Sequence, residues 1–407
     1  MSRRPIGIVL LVSLLSLSQQ ALALDLVSVD TVQRTELLDQ IHAGYTDQLT
    51  WEDAYTSYVD VHGYVPNVTA DFAWNYVQDI YNLQEWTISV RNVQPMSDWQ
   101  GRTRYAATEA MPPGGYDYFL ERKDPESRTI DWWVGKAPED IWMRYSIRIV
   151  DAQEVLGKPG IVITWVNFGH EKFLLDPMLH QGFLMMKIAH GIERDNLGKI
   201  LQWRAAGNTA PLTPAVAAEL GLINVELYEP MSIWFMVGSR LRPTVSWSEH
   251  YGDFIGNHFF LPGVAVPAAW SFVTNPFNME DWTVSLRNIQ GNETEFTGEE
   301  RLRPHGRLRG KIVRYAGAKT IDLLVAPEAE PAPIMNSTLR VLDGAETNGM
   351  SGTVVVWITY RHDGLDQPRF GDYWKYLPAQ NKIDAQNIGA LIGAPAVRGA
   401  VVPMPAF

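Results

Sequence analysis

The chain contains no cysteine. That excludes disulfides, thiolate nucleophiles, cysteine-ligated zinc and iron–sulfur clusters. Positive charge is scarce: 34 Lys+Arg against 46 Asp+Glu leave a net charge of −12, without the basic footprint that bulk nucleic-acid binding needs. Beyond residue 24 no apolar run approaches the roughly 18 residues of a membrane-spanning helix. The densest, Met231 to Val237 (MSIWFMV), reads as a core segment. There is no G-x-S-x-G, Walker loop, G-x-G-x-x-G or H-E-x-x-H motif, so no common hydrolase, nucleotide or zinc signature applies. What is abundant is aromatic: 15 Trp, 16 Tyr and 14 Phe in 407 residues. With 46% apolar and 20% charged residues the composition is globular. The aromatic excess implies a very large core or an apolar guest.

Residues 1–24 read as a signal peptide. Arg3 and Arg4 precede an apolar stretch from Ile6 to Leu17, and Ala21-Leu22-Ala23 is a small-x-small cleavage site. The stretch is too short to cross a hydrocarbon core of about 30 Å. Export follows, and a cysteine-free exported chain suits a bacterial periplasm better than a disulfide-rich extracellular setting.

Sliding the chain by 196 residues aligns it with itself, giving 15 identities over the 44 positions from residue 51 to 94. Trp51 meets Trp247, His62 meets His258, and Trp86-Thr87 meets Trp282-Thr283. Arg91-Asn92 and Gln94 meet Arg287-Asn288 and Gln290. Further on the offset drifts, but Asp131, Trp165, His170, Glu171 and Asn196 recur as Asp322, Trp357, His362, Asp363 and Asn387. Chance does not keep such an order, so one domain is used twice. The reading is a signal peptide at 1–24, copy one at 25–205, a linker at 206–221 broken by Gly207, Pro211 and Pro214, and copy two at 222–407.

Within a copy the periodicity predicts a strand at 57–65, a helix at 70–81 and a strand at 86–93. Strands at 103–109, 116–122, 128–134, 142–150 and 160–168 follow, then a long amphipathic helix at 176–201. This order, with Val65-Pro66 leading through Trp74-Asn75-Tyr76-Val77 to Trp86, resembles the START-like (SRPBCC, helix-grip) superfamily; copy two repeats it from Leu261-Pro262 to Trp282. The resemblance implies an α+β fold of two helix-grip domains, each a curved antiparallel sheet wrapped around a long C-terminal helix. It also implies a deep apolar cavity that takes lipids, sterols or polyketide-like molecules. Some members of the superfamily are cyclases, aromatases or hydrolases; no catalytic residue is common to all.

Two functions are therefore open. One is carriage or sequestration of a hydrophobic small molecule; the other is a cyclase- or aromatase-type acid–base reaction. For the second, neighbouring first and last strands would bring His62 near His170 and Glu171, an imidazole–carboxylate set suited to a general base. A hydrogen-bonded pair kept since duplication, or a metal site, are the other readings, although the spacing matches no metal motif. No cofactor is expected. The ligand-binding candidates are Trp86, Trp132, Trp133, Trp142, Trp165, Phe183 and Met186, concentrated in copy one. Asn92 and Gln94 join them if strand alternation turns them inward, leaving Arg91 outside to meet a carboxylate such as Asp131. Arg301, Arg303, Arg307 and Arg309 form a local basic hairpin that would suit an anionic lipid or an acidic partner.

Overall fold

The computed structural model describes residues 26–111, 115–137, 139–302 and 306–393; the expected signal peptide lies outside them. An N-terminal arm holds α1 (Arg34–Ala43) and β1 (Gln48–Thr50). Copy one continues with α2 (Trp51–Ala54), β2 (Tyr58–Asp60), β3 (Gly63–Pro66), α3 (Ala70–Val77) and α4 (Leu83–Trp86). Then come β4 (Val90–Trp99), β5 (Arg102–Glu109), β6 (Gly115–Asp124), β7 (Thr129–Ala137) and β8 (Asp140–Asp151). The copy closes with α5 (Ala152–Val155), β9 (Gly160–Gly169), α6 (Glu171–Leu174) and α7 (Pro177–Ala205). A second arm carries α8 (Pro214–Glu219), α9 (Pro230–Gly238) and β10 (Thr244–Ser246).

Copy two opens with α10 (Trp247–His250), β11 (Phe254–Gly256), β12 (Phe259–Pro262), α11 (Val266–Val273) and α12 (Met279–Trp282). Its remaining strands are β13 (Leu286–Gly291), β14 (Glu295–Glu300), β15 (Gly306–Tyr315), β16 (Thr320–Pro327), β17 (Met335–Asp343) and β18 (Gly352–Arg361). α13 (Gly344–Thr347) precedes β18, and α14 (Tyr373–Leu391) ends the copy.

Each copy forms one antiparallel sheet, ordered β2-β9-β8-β7-β6-β5-β4 and β11-β18-β17-β16-β15-β14-β13, with β3 and β12 pairing the same strand as β2 and β11. The concave face of each sheet buries the copy's last long helix. In copy one Ile130, Trp132, Ile147, Ile163 and Trp165 meet Phe183, Leu184, Ile192 and Leu197 of α7 in one cluster. Asp176 caps α7 by accepting from the Met178 and Leu179 amides, with Pro177 at the first helical position, where a missing N–H costs nothing. α14 is shorter: Gly371 breaks the chain at φ 49°, and Pro378 sits inside the helix. The strand expected from Trp86 starts four residues later, because Leu83–Trp86 takes one helical turn first.

The convex faces pack on each other. Val150, Val162, Val166 and Phe168 meet Leu342, Val354, Val356 and Tyr360 in a cluster shared by both copies. Two reciprocal bidentate pairs flank it. Arg148 donates to both oxygens of Asp322 at 2.6 Å, and Arg340 donates to both oxygens of Asp131 at 2.7 Å. Burial would raise the Asp131 carboxyl; Arg144 and Arg340 outweigh that and hold it well below the usual range.

The arms exchange partners. In copy one's helix, Asn196 brackets Ile223 of the second arm, donating to its carbonyl at 2.9 Å and accepting from its amide at 3.1 Å. In copy two's helix, Asn387 brackets Val27 of the first arm at the same two distances, 2.9 and 3.1 Å. The Val225 amide donates to Ile88, and the Val29 amide to Val284. Arg91 pairs with Glu226 at 3.0 Å and Arg287 pairs with Asp30, so the carboxylate facing Arg91 is Glu226 rather than Asp131. β1 and β10 pair antiparallel where the arms cross. The stretch 206–221 thus carries α8, and Ala217 with Leu222 is buried in copy one's core. Leu37 and Ile41 pack instead with Val284 and Leu302 of copy two.

Candidate functional site in copy one

β9 turns Ile161, Ile163 and Trp165 toward α7. The Trp165 ring meets Trp86 edge-on at 5.5 Å and tilts over His190 of α7 at 4.7 Å. Three residues on, one turn along the same helix face, stands Glu193. Its Oε1 accepts from the Ile88 amide at 2.9 Å, and its Oε2 lies 2.6 Å from His190 Nδ1. Both side chains are buried. Against a carboxylate, which only accepts, Nδ1 is the donor of this pair. Nε2 is buried with no hydrogen-bond partner. Tyr145 faces the imidazole edge-on at 5.4 Å, and burial, then Glu193, pushes its phenol far up. Burial also raises the Glu109 and Asp117 carboxyls on the same concave face; Lys136, 3.3 Å from Asp117, counters part of that second shift.

Copy two has the acid and not the base. The counterparts of His190 and Glu193 are Asn381 and Asp384. Asp384 accepts from the Val284 amide at 2.6 Å, as Glu193 does from Ile88. Asn381 donates to Thr359 at 3.3 Å. The repeated carboxylate is therefore scaffold that holds the turn after the short helix, and in copy one an imidazole stands beside it.

The residues singled out in the sequence disperse. Trp86, Trp132, Trp165 and Phe183 are buried on the concave side, with Met186 partly buried beside them. Trp132 Nε1 donates to Glu121 at 3.0 Å. Trp142 packs against the same cluster, with the Lys136 ammonium 4.6 Å above its ring. Trp133 lies on the other face. It is stacked between Arg102 and Arg144 at 4.2 and 4.5 Å and donates to the Glu346 carbonyl, so it joins the two copies. Asn92 and Gln94 are exposed. A bulge between Arg91 and Gln94, with Asn92 at φ 53°, resets the alternation and turns Val93 inward. Asn288 repeats it at φ 55°.

His62 and His170 do not meet. His62 Nδ1 accepts from the Trp165 amide at 3.3 Å, whereas His170 lies five residues further along, about 16 Å in an extended chain. There His170 accepts from the Lys172 amide at 3.4 Å, and its ring fills the space beside Gly349 of copy two; the Glu171 amide donates to Asn348. His362 does the same against Gly157 of copy one.

His62 belongs to a cluster on the axis between the copies. One carboxylate, Asp60, stands 2.7 Å from His258 Nε2 and 3.7 Å from His62 Nε2. Gly256 occupies the place equivalent to Asp60, and any Cβ there would overlap the carboxylate. Burial would raise Asp60; the imidazoles of His258 and His62 hold it well below the usual range. Burial lowers His62 and outweighs Asp60's pull the other way. The Lys187 ammonium donates to the Asp60 carbonyl and burial brings it down to about 8; burial takes His250 down to about 3.

Arg301, Arg307 and Arg309 of the basic hairpin have partners nearby. Arg301 lies near Glu299 and Asp30, Arg307 near Glu328, and Arg309 donates to the carbonyls of Glu330 and Pro331 at 2.6 Å. Arg303 lies outside the described residues. No helix among the described residues is long and apolar enough to cross a membrane.

No family model and no curated protein matches the chain. Solved structures align with it. The di-domain ARO/CYC StfQ of the steffimycin biosynthetic pathway has 12% identity, covers 83% of this chain and 97% of its own, and gives a TM-score of 0.25. The di-domain ARO/CYC BexL of the BE-7585A pathway has 9% identity, with 84% and 99% covered and a TM-score of 0.26. TTHA0849 from Thermus thermophilus has 18% identity, covers 38% of this chain and 99% of its own, and scores 0.28. Strand order and enclosed helix decide the fold. The chain is a tandem of two domains of helix-grip fold, each an antiparallel sheet enclosing its last long helix. The buried His190–Glu193 pair distinguishes its first domain from its second.

Proposed function

We propose that copy one takes a hydrophobic small molecule between its sheet and α7 and performs acid–base chemistry on it, with His190 as the base and Glu193 as its orienting partner. One observation carries this reading: a buried imidazole fixed through Nδ1 by a carboxylate presents an unpartnered Nε2 among Trp and Tyr rings. That is how a general base is built. The aromatic surround suits an apolar, polyketide-like substrate, and the chemistry suits an aldol-type cyclisation. Nε2 removes a proton from a carbon beside a carbonyl, the carbanion closes on a second carbonyl, and the imidazolium returns the proton to the new alkoxide. His62, His170 and Glu171 take no part in this step. Simple carriage of the same molecule is the second reading, supported by the amount of apolar surface facing α7. The arginines and cleavage site of the first 24 residues support export as part of the proposal; N-terminal sequencing of the chain from fractionated cells tests that.

The test of the chemistry is a turnover assay on aromatic poly-carbonyl probes with wild type and His190→Ala. The expected loss is about 10²–10⁴-fold in kcat, with the probe still quenching tryptophan fluorescence. If no probe turns over in wild type while extracted hydrophobic ligand copurifies, carriage is the function.

A further inference from the structure

The two arm helices fill equivalent slots. α1 buries Leu37 and Ile41 against copy two; α9 buries Ile233 and Val237, the residues 196 positions on, against copy one. Their outward faces differ. α1 presents Thr35 and Asp39 to water. α9 presents Met231 and Phe235 at the same positions, 54% and 73% exposed. Where the first arm continues with Gly44, Tyr45 and Thr46, the second continues with Arg240, Leu241 and Arg242, all exposed. Arg242 pairs with Glu249; Arg240 has no ion pair among the described residues. Glu229 precedes the first residue of the helix. α9 lies on α7.

We propose that the outward face of α9 docks on an anionic lipid surface, Met231, Phe235 and Leu241 entering the acyl boundary and Arg240 and Arg242 meeting the headgroups. Two large apolar residues one helical turn apart, followed in sequence by two exposed cations, suit a helix that lies in a membrane interface. The positive charge is placed where a negatively charged bilayer attracts it, in a chain whose net charge of −12 would otherwise be repelled. The same slot in copy two shows that packing against the core does not call for these residues. This inference does not depend on His190.

Cosedimentation tests it, using the chain from residue 25 with vesicles of phosphatidylcholine alone or mixed with phosphatidylglycerol. The variant Met231→Thr/Phe235→Asp installs the residues α1 already carries in a folded slot, and circular dichroism confirms its fold. Wild type should pellet with the anionic vesicles, and the variant should lose affinity by about tenfold or more, as removal of two buried apolar side chains dictates. Arg240→Gly/Arg242→Thr should erase the difference between the two vesicle types. No pelleting of wild type, or equal pelleting of the variant, overturns the proposal. So does light scattering that shows wild type self-associating and the variant monomeric, since the face would then be a contact between chains.

Discussion

His190 is a polar residue of copy one whose copy-two counterpart, Asn381, cannot serve as a base. Glu193 and Asp384 both serve a backbone amide, so the carboxylate alone is explained by structure. Glu193→Gln separates the roles. The amide oxygen still accepts from Ile88, but the side-chain NH₂ now faces Nδ1 and favours the tautomer with the proton on Nε2. Turnover should fall about 10²-fold or more while stability shifts by no more than about 1.5 kcal/mol, read by activity and denaturant titration. The His-x-x-Glu spacing at 190–193 was visible in the sequence. A search for residues shared by the copies passes over it, because copy two carries Asn381 where copy one carries His190. Trp133 was opaque for another reason. Thr129 to Gly135 is buried at every position, so no polar alternation says which face is which.

At the scale of elements, strand order, long helix and duplication were legible, since each rests on periodicity or on length. The bulge at Asn92 was not, because one residue at positive φ resets a whole strand without any change in composition. The cluster formed by β2, β11, α7 and α10 predicts an acid response. His62 and His250 have folded pKa values below their unfolded ones, with His250 near 3. As pH falls below about 6.5 the unfolded chain binds protons that the native state refuses, and stability declines. Asp60, depressed by its imidazoles, adds its own loss only as pH falls below the ordinary carboxylate range. Tm should therefore drop between pH 7 and pH 4, and His250→Asn should flatten that slope; an unchanged slope removes His250 from the account. The interface pairs predict a second effect. Arg148→Met leaves Asp322 buried and unpaired, which should cost about 3–5 kcal/mol, measured by chemical denaturation.

For the molecule as a whole, the exchanged arms and the back-to-back sheets make each copy depend on the other. Calorimetry should show a single unfolding transition, and two separated transitions would contradict the reciprocal packing of residues 26–43 and 222–238. That exchange was illegible because the repeat register shows which segments are equivalent and not which partner each one packs against. Within this near-symmetric frame the proposed chemistry belongs to one side only, where copy one carries His190 and copy two carries Asn381. The most direct measurement is kcat and ligand Kd for His190→Asn, which gives copy one the residue of copy two. The account predicts that kcat falls by about 10²–10⁴ while Kd stays within about twofold; an unchanged kcat would contradict it.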